Sequence, residues 1–293
     1  MIAIVGGGIT GLALGHELAR LGADFVVVEA ADRPGGVIRT EEIGGHLLEW
    51  GPQRTRFVGP VLGLVAALGL EGELVPARGD LEVLVWSRGR LHPVPTSPAR
   101  LARSRALGPL AKARLLLEPL TGGLRKGESV AGYSRRKLGR APYETFVGPL
   151  FGGLYGSDPA DMDAEDALAP LLGDLGVRRS LLLRALRGRA GAAPAMCSFR
   201  HGMQALPLAI AERLGGRVRL ASPARSLARA PSGAWRLELE GASGETIEAE
   251  HVVLCTSAPA AAPLLADAAP EAAAALAGLR YNVLGLVHLA RGG

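Results

Sequence analysis

Three glycines, Gly6, Gly8 and Gly11, stand at the spacing G-x-G-x-x-G in "VGGGITG", and the acid Glu29 follows roughly 20 residues on. Each residue type has a physical role at that spacing. Gly6 permits a tight turn, Gly8 lets backbone N–H groups approach a pyrophosphate, and Gly11 lets a helix pack closely on a strand. Ile9 and Thr10 place two more N–H groups at a helix start, where partial positive charge favours phosphate. Glu29, followed by Ala30, can accept both hydroxyls of an adenosine ribose and would repel a 2′-phosphate. The chemistry is the binding of an unphosphorylated dinucleotide.

A second run, "EAADRPGGVIRT", carries Arg33, Gly35, Gly36 and Arg39. A nicotinamide dinucleotide needs no glycine pair just after its ribose acid. A flavin dinucleotide does, because its ribityl chain runs on past the pyrophosphate. Gly35 and Gly36 would let backbone pass close to that chain, and Arg33 or Arg39 could pair with phosphate. The cofactor expected is therefore FAD.

Other chemistries find little support. The six histidines are scattered, so no metal site is expected, and no hydrolytic triad stands out. Cys197 and Cys255 lie far apart, which excludes a disulfide framework and suits a reducing, cytoplasmic compartment. The net charge of +5 comes without a long block of like charge, so no nucleic-acid partner is expected. The longest apolar run, Phe57 to Leu70, is shorter than the ~18–20 residues of a spanning helix, and the strand opening at Ile2 leaves no charged leader before it.

The elements that must position these residues follow from periodicity. Ile2–Val5 reads as a buried parallel strand, Ile9–Leu21 as a helix stopped by Gly22, and Asp24–Glu29 as the second strand. "LEVLVWSRGRLHPVP" reads as two strands around a turn at Arg88–Gly89. Leu/Arg-rich helical sequence follows, with Arg100, Arg103, Arg105, Lys112 and Arg114 in one cluster and Arg135, Arg136, Lys137 and Arg140 in another, a basic, partly amphipathic surface. From residue 201 come a helix in "GMQALPLAIAERLGG", a strand and turn in "RVRLASPARSLARA", strands in "AWRLELE" and "ETIEAEHVVLCTSAP", and a last strand in "YNVLGLVHLARGG". The fold class expected is α/β: a Rossmann-like FAD-binding domain with an inserted helical subdomain and a mixed-sheet substrate domain, incomplete at the C-terminus. Its segments are 1–77 and 201–260 for the FAD-binding domain, 78–200 for substrate-binding strands and the helical insertion, and 261–293 for the start of the remaining substrate domain.

The glycine turn, the Glu29–Arg33–Gly35–Gly36–Thr40 run and "LLEWGP" together resemble FAD-dependent oxidases of the amine-oxidase superfamily. "VWSRGRLHPVPTSP", "SRRKLGRAPYETFVGPLFGGLYGSDPADM" and "FRHGMQALPLAIAERL" resemble its protoporphyrinogen and coproporphyrinogen oxidase branch, in the same order and nearly end to end. The resemblance implies oxidation of a porphyrinogen in haem synthesis by repeated hydride transfer to flavin, with dioxygen reduced to hydrogen peroxide. It implies Gly51, Pro52 and Gln53 beside the flavin and a backbone contact from Ala224 to adenine. It also implies a peripheral contact with the inner face of the cell membrane and a ferrochelatase-type pathway partner. The tetrapyrrole is flat and polyanionic, so Arg54, Arg56, Arg178 and Arg179 are candidates for its carboxylates, and Tyr155 in a glycine-rich wall for its ring. No catalytic side chain is assigned. Members of the branch run well past residue 293, so part of the FAD site is expected to be missing. Another flavin amine oxidase or desaturase, or a catalytically silent flavin-fold binding protein, are the alternative readings.

Overall fold

The computed structural model describes residues 1–78, 82–87, 89–173, 180–182, 196–240 and 245–289. The chain divides into two compact units, one of Met1–Ala77, Pro194–Tyr281 and Gly285–Gly293, the other of Arg78–Ala193 and Asn282–Leu284.

The first unit is organised around a four-stranded parallel sheet. Strand β1 (Ile2–Val5) runs into helix α1 (Ile9–Arg20), which returns to strand β2 (Phe25–Val28). The sheet order is Val218–Arg219, β2, β1, His251–Leu254, with Val5 opposite Val28 on one side and Leu254 on the other. Because side chains alternate along a strand, each strand serves two cores. Ile4, Phe25 and Val27 point into a layer with Leu12 of α1 and with Leu206, Ile210 and Leu214 of the helix Ala205–Leu214. Ala3, Val5 and Val28 point the other way, against Leu227, Leu237 and Ile247 of a three-stranded antiparallel sheet, Ala224–Arg229, Trp235–Leu239 and Thr246–Ala249. Burial on both faces is why β1 and β2 read as continuous apolar runs. Each such side chain contributes about 1.5–3 kcal/mol on burial.

Helix α1 ends as its sequence requires. Gly22 adopts φ +69°, its N–H donates to Ala19 and that of Ala23 to Leu18, which satisfies two otherwise orphaned carbonyls. Gly15 admits close packing, since a Cβ there would meet Leu214, Phe25 and Val27 at 3.0 to 3.3 Å. Gly44 and Gly45, at φ +59° and +77°, turn a hairpin of β3 (Thr40–Ile43) and β4 (His46–Glu49). Two left-handed residues in succession match the twist of paired strands.

Three expectations are refined or overturned here. "RVRLASPARSLARA" forms two strands in two different sheets rather than one, and "ETIEAEHVVLCTSAP" likewise serves both sheets. Residues 281–289, expected as a strand, form none. Val283, Val287 and Leu289 are almost wholly exposed, and extended backbone becomes a strand only where a ladder partner takes its N–H and C=O groups.

The second unit holds the hairpin Leu84–Ser87 and Arg90–Pro93, followed by helices that include Pro98–Arg103, Pro109–Leu115, Val130–Leu138, Gly148–Tyr155 and Ala164–Gly173. Among the described residues no helix is long and apolar enough to cross a membrane. The cluster Arg135, Arg136, Lys137 and Arg140 is not one solvated basic face. Arg136 turns inward to Glu128 and to the carbonyls of Thr121 and Gly123. Lys137 is fully buried, 2.5 Å from a carboxylate oxygen of the equally buried Glu118. A helix shows every third or fourth residue to its neighbours, so consecutive cations cannot share one side.

Burial alone would push the Glu118 carboxyl up, but Lys137, the Ser180 hydroxyl and the N–H groups of Leu181 and Leu182 hold it below its ordinary value. Arg136 does the same for Glu128. A carboxyl with a lowered folded pKa contributes stability above its unfolded pKa and loses it as pH falls through the folded value. The near-ultraviolet circular dichroism melting temperature is therefore expected to drop as pH is taken below ~4.3. Lys137→Met, leaving Glu118 buried and unpaired, is expected to cost about 3–5 kcal/mol in urea unfolding, and adding Glu118→Leu to recover most of it.

Candidate functional site

The glycine turn is built by close backbone approach. Gly6 has φ +110°, and a Cβ on it would lie 2.7 Å from the Cys255 carbonyl oxygen. A Cβ on Gly11 would land on the Gly6 carbonyl oxygen. Gly8 caps α1 with extended backbone and no side-chain cap, and a Cβ on it would meet nothing within 4 Å. No acid stands in the first turn. The N–H groups of Ile9, Thr10 and Gly11 thus open the helix beside unfilled space, with no carboxylate to compete for their partial positive charge. These features fit a pyrophosphate.

Glu29 sits at the end of β2, where its Oε2 accepts from the Gly7 N–H at 2.5 Å and its Oε1 from the Ala31 N–H at 2.9 Å. Each oxygen keeps lone pairs for a ribose hydroxyl. Gly7, not singled out from the sequence, must be glycine because a Cβ there would lie 2.8 Å from that of Glu29. Three backbone bonds of 2.8 Å join Glu29 and Ala31 to the segment 219–222. Within it Ala221 has φ +49°, the one non-glycine residue among those described with positive φ. Ala224 begins the next strand just beyond.

The second glycine pair packs tightly on the first. Gly35 and Gly36, at φ +106° and +59°, pack on the first glycine turn itself. The Gly35 N–H donates to Gly7, Gly35 bridges Gly8, and a Cβ on Gly36 would lie 3.2 Å from Gly8 Cα. Arg33 staples this loop, donating to the carbonyls of Gly36 at 2.7 Å, Ile38 at 3.2 Å and Pro34 at 3.4 Å. Arg39 pairs with Glu41, whose other oxygen accepts from Trp50 Nε1. Donors expected on phosphate are thus engaged by the protein. Ala30 follows Glu29 and is exposed.

Gly51 is glycine because a Cβ on it would land on the Val37 carbonyl oxygen, while Pro52 and Gln53 are exposed. Arg54 and Arg56 are exposed in the first unit, the latter in a short strand paired with Met196–Phe199. Tyr155 belongs to the second unit, where it closes the helix Gly148–Tyr155 and stacks on Phe151 at 5.7 Å. Arg178 and Arg179 lie outside the described residues. The substrate candidates are therefore not gathered within one unit.

An open polar cavity beside the turn is lined by Asp32, Arg33, Arg39, Thr40, Glu41 and Gln204. Here the sequence reading missed a set of contacts. The Thr40 N–H donates to Gln204 Oε1 at 2.8 Å and the Gln204 N–H to Thr40 Oγ1 at 3.1 Å. Glu49 accepts from Thr40 Oγ1 and from the Met203 N–H, each at 2.7 Å. The signal available was the Gly44–Gly45 hairpin turn, which sets Thr40 directly opposite Glu49.

Residues 9–290 match the family described as flavin containing amine oxidoreductase. The chain is 30% identical over 314 residues to protoporphyrinogen oxidase 1, chloroplastic, of Spinacia oleracea, covering 98% of this chain and 55% of that protein. It is 30% identical over 199 residues to coproporphyrinogen III oxidase of Propionibacterium freudenreichii subsp. freudenreichii, covering 64% of this chain and 38% of that one. A solved structure of a provisionally named protoporphyrinogen oxidase from Exiguobacterium sp. 255-15 superposes with TM-score 0.73 at 25% identity, over 91% of this chain and 61% of that one. The chain thus spans little more than half the length of the spinach relative.

Gly11→Ala is expected to abolish retention of FAD through gel filtration, read as flavin absorbance in the protein peak. Glu29→Ala, which removes a charged acceptor but leaves the turn, is expected to weaken FAD binding by roughly ten- to a hundredfold. Undiminished flavin content in Gly11→Ala would contradict the placement of the cofactor at this turn.

Proposed function

This chain belongs to the flavin-containing amine oxidoreductase family, and we propose that with FAD bound it oxidises a porphyrinogen, coproporphyrinogen III or protoporphyrinogen IX, to the porphyrin. The observation that carries this reading is the similarity to a protoporphyrinogen oxidase over 98% of the chain, collinear with the dinucleotide cradle. FAD supplies the hydride acceptor, and dioxygen carries the electrons away as hydrogen peroxide.

The work of the protein is then to bind, orient and exclude water. The N–H groups of Gly8, Ile9, Thr10 and Gly11 hold the pyrophosphate at the α1 N-terminus, and Glu29 orients the adenosine ribose. Ala224 contributes its backbone to the adenine side. Gly35, Gly36, Gly51, Pro52 and Gln53 form the wall along the flavin, kept in shape by Arg33 and Arg39. Arg54, Arg56 and Arg178 remain the candidates for substrate carboxylates, for which a planar guanidinium offers paired donors. Tyr155 remains the candidate for contact with the substrate ring. The exposed leucines Leu110, Leu116, Leu117 and Leu120 suit a peripheral contact with the inner face of the membrane, from which product passes to a ferrochelatase-type partner.

The test is an aerobic assay with each porphyrinogen under saturating FAD, reading porphyrin fluorescence and peroxide together. Fluorescence above the autoxidation rate, with matching peroxide, is the expected result. Silence with both substrates while FAD stays bound would leave the silent flavin-fold reading in its place.

A further inference from the structure

Thr40 and Glu41 of the β3–β4 hairpin line the polar cavity together with Arg33 and Gln204, yet the hairpin's apolar residues do little to hold it there. Ile43 and Leu47 are about half exposed, and no residue of either strand belongs to a buried core cluster. What fixes its base is polar. Thr40 and Glu49 face each other across the hairpin, and both reach the start of the helix Ala205–Leu214. Four hydrogen bonds of 2.7 to 3.1 Å close the ring Thr40–Glu49–Met203–Gln204, one within the hairpin and three across sequence separations of 154 or 164 residues. Gly202, just before, has φ +83°, and a Cβ on it would collide with the Thr40 side chain. No other residue could occupy that position while the ring is closed. Thr40 and Gln204 line the cavity; Glu49 stands behind them.

We propose that Glu49 is a positioning residue for the FAD site, acting through Thr40 and Gln204 to hold the hairpin against the helix start. The inference rests on the reading of the glycine turn as an FAD cradle. Glu49 needs no charge for this role, only two acceptor positions or their equivalent. A glutamine can accept from the Met203 N–H and donate to Thr40 Oγ1, because a hydroxyl oxygen accepts twice. Alanine can do neither.

The experiment titrates FAD into the full chain and follows quenching of flavin fluorescence and the circular dichroism of bound flavin. Glu49→Ala is expected to raise the Kd at least about tenfold, by loss of two hydrogen bonds one of whose donors stays half-buried. Glu49→Gln is expected to restore binding to within about threefold of wild type, a rescue that generic loss of a charged surface residue does not explain. Should Glu49→Ala lose its native far-ultraviolet spectrum, Thr40→Val, which exchanges only hydroxyl for methyl, carries the test with the same expected direction. Wild-type affinity in Glu49→Ala, or in Thr40→Val when the first variant is unfolded, would overturn the inference while the cradle stands. A wild-type chain that takes up no FAD would overturn the cradle and this inference together.

Discussion

The carbonyl of Cys255, the backbone of Gly6 and the first turn of α1 converge so closely that side chains are excluded from the contact. That constraint governs the first unit. Because Gly6 can adopt φ +110° against the Cys255 carbonyl, β1 can deliver the chain directly into α1. Because Gly11 carries no Cβ, the helix can settle on the turn it has just left. The same economy of side chains lets Gly35 and Gly36 lie on Gly7 and Gly8, so two loops become one layered surface. Glu29 joins this stack through the Gly7 N–H.

The apolar layers on either side of the parallel sheet keep the stack in place. One layer ties α1 to the helix Ala205–Leu214, and the other ties β1 and β2 to the antiparallel sheet that begins at Ala224. Glu29 therefore stands between the two layers, its side chain on Gly7 and its backbone on the segment leading to that strand. A carboxylate placed in this way has little conformational freedom left to lose on binding a ligand.

The periphery is held by a different kind of interaction. Arg33 staples its own loop through backbone carbonyls, and the Thr40–Glu49–Gln204 ring joins the hairpin to the helix start. The second unit shows the same preference in its interior, where Lys137 and Glu118 form a buried pair supported by Ser180. Such polar contacts are directional, so they specify one geometry where apolar packing alone would tolerate several.

Much of this was legible in the order of residues. The glycine spacing, the helix stop at Gly22 and the apolar periodicity all act over a few residues, and local sterics and periodicity suffice to read them. What only the tertiary structure decided were contacts between segments distant in the chain. Gly35 and Gly36 pack on the turn at Gly7 and Gly8, Lys137 turns inward to Glu118, and Glu49 meets Met203. The apolar run at 281–289 forms no strand, since a strand also needs a neighbour. In each case the residue type was visible and its partner was not, because partners are chosen by packing in three dimensions rather than by distance along the chain.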